Sequence, residues 1–190
     1  MKKCPFVYAF KAIKQNFTPS DNLITLMHTF TDMVNLTITL MLEKKLTSRN
    51  SVSKEIYHKL TDYNMPSYYY PEAINKAVAL VKTYRKRLKK KQKATIPHVE
   101  KPMLSTYYGF KIDNGKLMIP IARRAYASIP LNTYVRNSIS TVKVHSFTLS
   151  AYTLSLVMGR EVDSMECTTT VGVDRNLRNA TVGNEDQIEY

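Results

Sequence analysis

Apolar residues recur along this chain in two distinct periods, and the period changes with position. Leu23, Met27, Phe30, Val34, Ile38 and Met41 follow one another at spacings of three and four, with Leu42 beside the last and four from Ile38, which predicts a long amphipathic helix. Ser20 stands where an N-cap belongs, Asp21 falls in the positive first turn, and the lysines ending at Lys45 suit the C-terminus. Val52–Tyr63 predicts a shorter helix with Ile56, Tyr57 and Leu60 inward. A third opens at Pro71 and runs to about Lys93, with Ile74, Ala77, Val78, Val81, Tyr84 and Leu88 as its stripe. The period drops to two elsewhere. Phe6–Phe17 alternates as a first strand; Phe110–Ile112 and Leu117–Ile119 flank Asp113-Asn114-Gly115, a strong hairpin signal; Tyr126–Leu131, Val142–Leu149 and Tyr152–Val157 complete six strands.

Strands on either side of a helical run predict an α+β chain. Residues 1–17 and 103–160 are expected to form a small β-barrel, with 18–102 as a helical insertion and Ala94–Pro102 as the linker back to β structure. Leu23–Leu42 is apolar enough to be weighed as a membrane span, but His28, Asp32 and Asn35 interrupt it, so no membrane is expected. Met1–Ile13 lacks the long apolar core of a signal peptide. Cys4 and Cys167, far apart, form neither a disulfide framework nor a zinc cluster and suit a reducing cytoplasm.

Charge changes the picture more than composition does. The net charge is +13, and Lys82, Arg85, Lys86, Arg87, Lys89, Lys90, Lys91 and Lys93 fall together without one acid among them. A solvated helix face is the ordinary fate of a charge run. Eight uncompensated cations favour contact with nucleic-acid phosphates instead. Tyr68, Tyr69 and Tyr70, between two prolines, offer either packing or a base-stacking platform. His28, His58, His98 and His145 show no ligand spacing. Nor is there a Gly-rich phosphate loop, a serine-hydrolase elbow or a paired-carboxylate pattern.

The remaining chemistry lies near the C-terminus. Val171-Gly-Val-Asp174 alternates as a strand, and Ala180-Thr-Val182 brings a second alternating run after a polar bend, so 171–184 reads as strand, turn and antiparallel strand. Asp174 then stands at a strand end, where a carboxylate serves either a turn or a hard cation such as Mg²⁺ or Mn²⁺. Glu185, Asp186 and Glu189 follow and read as solvated tail charges.

Gly172-Val173-Asp174, Leu177, Asn179 and Ala180-Thr181-Val182 resemble the first catalytic strand of the RuvC/RNase H-like domain in TnpB, the OrfB-type protein of insertion sequences. Weaker echoes fall at Asn35 and in the basic helix near residue 85. The resemblance implies an RNA-guided DNA endonuclease in which a wedge-like barrel, interrupted by a helical recognition domain, leads into the nuclease. It implies Asp174 as a catalytic, metal-ligating carboxylate, Mg²⁺ or Mn²⁺ as cofactor in the complete nuclease, and guide RNA and DNA as partners. Arg175-Asn176 replaces the family's common Leu-Gly; Asn tolerates the left-handed conformation that Gly supplies there. The family's later Glu, further Asp and zinc ribbon find no counterpart before Tyr190, so 165–190 is expected to be the start of an incomplete RNase H-like domain, with a C-terminal nuclease half as a further partner. A plain RNA-binding barrel module is the alternative. An actin-like or sugar-kinase ATPase also begins apolar-Gly-apolar-Asp, but it wants Gly with Thr or Ser just after the Asp, and Asn176-Leu177 supply neither.

Overall fold

The computed structural model describes residues 7–162, 172–175, 180–183 and 188–189, and the chain divides into two units, Phe10–Arg160 and the pair Met1–Ala9 with Glu161–Tyr190. Four helices and ten strands are seen among the described residues, an α+β organisation.

In the larger unit the helices α1 (Asp21–Glu43), α2 (Arg49–Thr61) and α3 (Tyr69–Lys89) follow strand β1 (Val7–Asn16). Ser20 is the N-cap of α1, and Leu23, Met27, Phe30, Val34, Ile38 and Met41 are all buried, so the predicted stripe is the core face. Val52, Ile56 and Leu60 bury the inner side of α2. Helix α3 begins two residues before Pro71, because the first turn needs no N–H from a proline there. Asn35 fastens the return of the chain: its amide donates to the Val99 carbonyl at 3.0 Å and accepts from the Val99 N–H at 2.8 Å.

The β structure from β1 to β7 is organised as two open sheets. Strands β2 (Met103–Thr106), β6 (Lys143–Ser150) and β7 (Thr153–Val162) join β1 in the order β1-β7-β6-β2. Strands β3 (Lys111–Asp113), β4 (Lys116–Ala122) and β5 (Ala125–Pro130) form an antiparallel meander. The β3–β4 turn is Asn114-Gly115, with φ of 47° and 69°, which is the positive-φ pair a two-residue hairpin requires. The closed barrel expected from the six strands is therefore not what forms. Its cause is α4 (Thr133–Ile139), which leads the chain out of the second sheet before β6 and keeps β5 and β6 from pairing. Neither α4 nor β2 was expected. Asn132 caps α4, accepting from the Val135 N–H at 2.8 Å, while buried Gln15 of β1 donates to the Pro130 carbonyl at 2.8 Å and accepts from the Asn132 N–H at 3.0 Å. One amide thus holds β1 to the end of the other sheet.

In the smaller unit, β8 (Gly172–Arg175), β9 (Ala180–Gly183) and β10 (Ile188–Glu189) pair antiparallel in the order β10-β9-β8. Residues 176–179, where the polar bend was expected, lie outside the described residues, as do Cys4 and Cys167. Among the described residues no helix is long and apolar enough to cross a membrane.

Candidate nucleic-acid interface

Helix α3 changes character at Val81, the last residue it buries. Beyond that point Lys82, Lys86, Arg87, Lys89, Lys90, Lys91 and Lys93 are exposed, and Leu88 is 47% exposed, so the stripe that continues in sequence has left the core. Like charges three and four apart repel along such a helix. Tertiary contact compensates.

Arg85 supplies that contact, and it is the one member of the cationic run that turns inward. Its guanidinium donates to the Leu46 carbonyl at 2.6 Å and to the Met41 carbonyl at 3.1 Å, so the last turns of α3 are tied to the end of α1. A guanidinium at a helix C-terminus satisfies carbonyls that have no intrahelical partner and complements the negative end of the dipole. The other seven cations have no carboxylate partner among the described residues, where the ion pair is Lys44–Glu55 on the surface. Glu55 is held below its ordinary range by that Lys44 hydrogen bond and charge.

The three consecutive tyrosines do not make one platform. Tyr69 is fully buried and donates its hydroxyl to the Pro120 carbonyl at 2.9 Å; Tyr70 is buried and donates to the Met65 carbonyl at 2.6 Å. Tyr68 alone stays half-buried. It lines a cleft of about 490 Å³ together with Asn64, Ser67, Arg123, Arg124 and Tyr126. Arg123 and Arg124 form the β4–β5 turn, and neither they nor Tyr126 was singled out from sequence. The available signal was an Arg pair between two predicted strands, which puts both guanidinium groups at a hairpin tip.

Asp174 falls in the smaller unit, on β8 opposite Thr181 of β9. Glu185 and Asp186 lie outside the described residues, and Glu189 is on β10. Among the described residues no group of three or more His, Cys, Asp or Glu gathers in a way that would hold a metal ion. Asn35, the other position in the resemblance, is committed to Val99.

A family model described as Uncharacterized protein MJ0013 family matches residues 26–120, half of the chain, from within α1 to Pro120 on β4. The matched stretch includes the whole of the cationic run. No curated protein matches the chain.

Proposed function

The chain belongs to the Uncharacterized protein MJ0013 family, and we propose that it binds nucleic acid as the equivalent of the front part of a TnpB-like, RNA-guided nuclease. The observation that carries this reading is the end of α3 and the residues just after it: seven exposed cations, Lys82, Lys86, Arg87 and Lys89 on the helix and Lys90, Lys91 and Lys93 beyond it, with no acid in the run to neutralise them. Such a surface attracts phosphates and releases counterions when it binds them. A structured RNA or an RNA–DNA duplex, recognised by charge and shape, is the ligand this surface fits. The resemblance at 171–184 adds the nuclease ancestry, and the antiparallel pairing of β8 with β9 supports reading them as the first hairpin of an RNase H-like domain. That hairpin favours the nuclease ancestry over a plain RNA-binding module, which gives no account of Gly172-Val173-Asp174.

In this reading Asp174 is the metal-ligating carboxylate, with Mg²⁺ or Mn²⁺ supplying Lewis-acid stabilisation and an activated water in the complete nuclease. Guide RNA and DNA are the partners, together with the remaining nuclease half, in a cytoplasmic setting.

The test is charge reversal. Lys86→Glu, Lys89→Glu and Lys90→Glu together are expected to weaken binding of an RNA hairpin by roughly tenfold or more. They are also expected to flatten the dependence of log affinity on log salt by up to about three phosphate contacts. Equal affinity and equal slope in an anisotropy titration would remove α3 from the interface.

A further inference from the structure

We propose that the cleft between Tyr68 and the β4–β5 turn holds one unstacked nucleotide of a single strand, its base against Tyr126 and its phosphate on Arg123 and Arg124. This deepens the nucleic-acid reading above and rests on it.

The lining is the first argument. The cleft is about 490 Å³, within the range of small-ligand sites, and no carboxylate lines it. Tyr126 is 41% exposed, and the ammonium of Lys111, on β3 of the same sheet, lies 5.0 Å from its ring centroid. An aromatic ring beside the two arginines that line the cleft offers a surface for a base and charge for a phosphate in one place. Bases inside a duplex are already stacked and paired, so a site of this kind selects an unpaired one.

The backbone bears on how the site can be tested. Arg124 sits at φ 62°, in the left-handed region where Gly or Asn is at ease and a long side chain is strained. A register shift between Pro120 and Ala122, just before the turn, re-aims the hairpin tip. The hairpin tip thus carries a guanidinium at a position whose backbone glycine would adopt at lower cost, so the cation can be removed there without straining the turn.

Tyr68 is held in place from behind. Gly109 lies against its ring so closely that a Cβ there would come within 2.5 Å of Tyr68 Cζ, and Tyr69 meets the ring edge-on at 4.9 Å. Burial first, and the neighbouring Tyr126 second, push the Tyr68 phenol up to about 12. The hydroxyl is protonated at neutral pH, as an ordinary phenol is, and can donate to a base edge.

The experiment uses the full chain and three probes: a short single-stranded RNA carrying a fluorescent purine analogue, the same strand as DNA, and a duplex RNA hairpin. Arg124→Gly is expected to weaken single-strand binding about threefold to tenfold and to lower its salt slope by about 0.7, while the melting temperature holds or rises because glycine accepts the turn conformation. Tyr126→Leu is expected to cost about fivefold or more and to abolish quenching of the analogue. Hairpin binding should stay at the wild-type level in both variants. Preference of the wild type for RNA or for DNA would identify the strand; loss with either one supports the site. Unchanged single-strand affinity and quenching in both variants, with hairpin binding still dependent on Lys86, Lys89 and Lys90, would overturn the cleft alone. A wild-type chain that binds none of the three probes would overturn the nucleic-acid reading and the cleft with it.

Discussion

At the residue scale, the tyrosines between Pro66 and Pro71 show how a local pattern is resolved only by packing. Adjacent side chains on a helix are turned about 100° from one another, so consecutive rings in its first turn fan out and cannot share one platform. The sequence identifies the cluster; which ring faces the core depends on where α3 starts and on the elements packed against it. Tyr69 is the ring that goes deepest, and its hydroxyl has a protein partner in Pro120. Removing it in Tyr69→Phe deletes that buried hydrogen bond and should cost about 1–2 kcal/mol at neutral pH. Burial raises the Tyr69 phenol above its ordinary 10.0, with Tyr68 as a second cause. The unfolded chain loses this proton near pH 10 while the folded chain keeps it. Stability from Tyr69 is therefore full below that pH and declines as the pH rises further. The difference between wild type and Tyr69→Phe should narrow accordingly, measured by urea unfolding at neutral pH and at about pH 11. A constant or widening gap would mean that the phenol is not the group titrating.

At the element scale, the helices were legible where periodicity and caps agreed and blurred where charge or short length took over. Both long helices end in the same way: Lys45 and Lys91 occupy left-handed positions at φ 53°, and the following N–H groups of Leu46 and Gln92 reach back to the carbonyls of Met41 and Arg87 at 3.0 Å. Lysine rather than glycine at that position hides the stop signal, which is why α3 was expected to reach Lys93. The short elements were missed for a different reason. Helix α4 offers only seven residues and β2 only four, too few for a period to show, and both depend on long-range partners: Gln15 for the start of α4 and β6 for β2. Arg85 is the residue on which this scale makes a prediction. Arg85→Met keeps the aliphatic stem but removes the donors to Leu46 and Met41. It should destabilise by about 1.5–3 kcal/mol, a fall of several degrees in melting temperature, yet leave the salt slope of RNA binding unchanged. A reduced slope with unchanged stability would place Arg85 in the interface with its neighbours.

At the scale of the whole molecule, charge and fold divide along the same line. The cationic run and the Arg123-Arg124 turn belong to the unit Phe10–Arg160, while Asp174 belongs to the unit that includes Glu161–Tyr190. The charge asymmetry was open to reading because charge needs no tertiary context; the arrangement of the sheets was not, because closure depends on what separates β5 from β6. The division also separates two activities that the proposed ancestry would combine. Binding through phosphate contacts draws on many cations and tolerates change elsewhere. Phosphodiester cleavage needs several carboxylates to hold the ions and orient water, and Asp174 is the one that the resemblance matches here. Mg²⁺ held by a single carboxylate keeps most of its waters and binds weakly. Asp174→Ala should therefore leave RNA affinity and salt slope at wild-type values, and wild type and variant alike should leave a DNA target intact in millimolar Mg²⁺. Cleavage is expected when strands carrying the further carboxylates of the family's site are supplied in trans, and then only with Asp174 present. Metal-dependent cutting by the purified chain alone, lost in Asp174→Ala, would show that its own remaining acids complete the site, with Glu185, Asp186 and Glu189 the next positions to substitute.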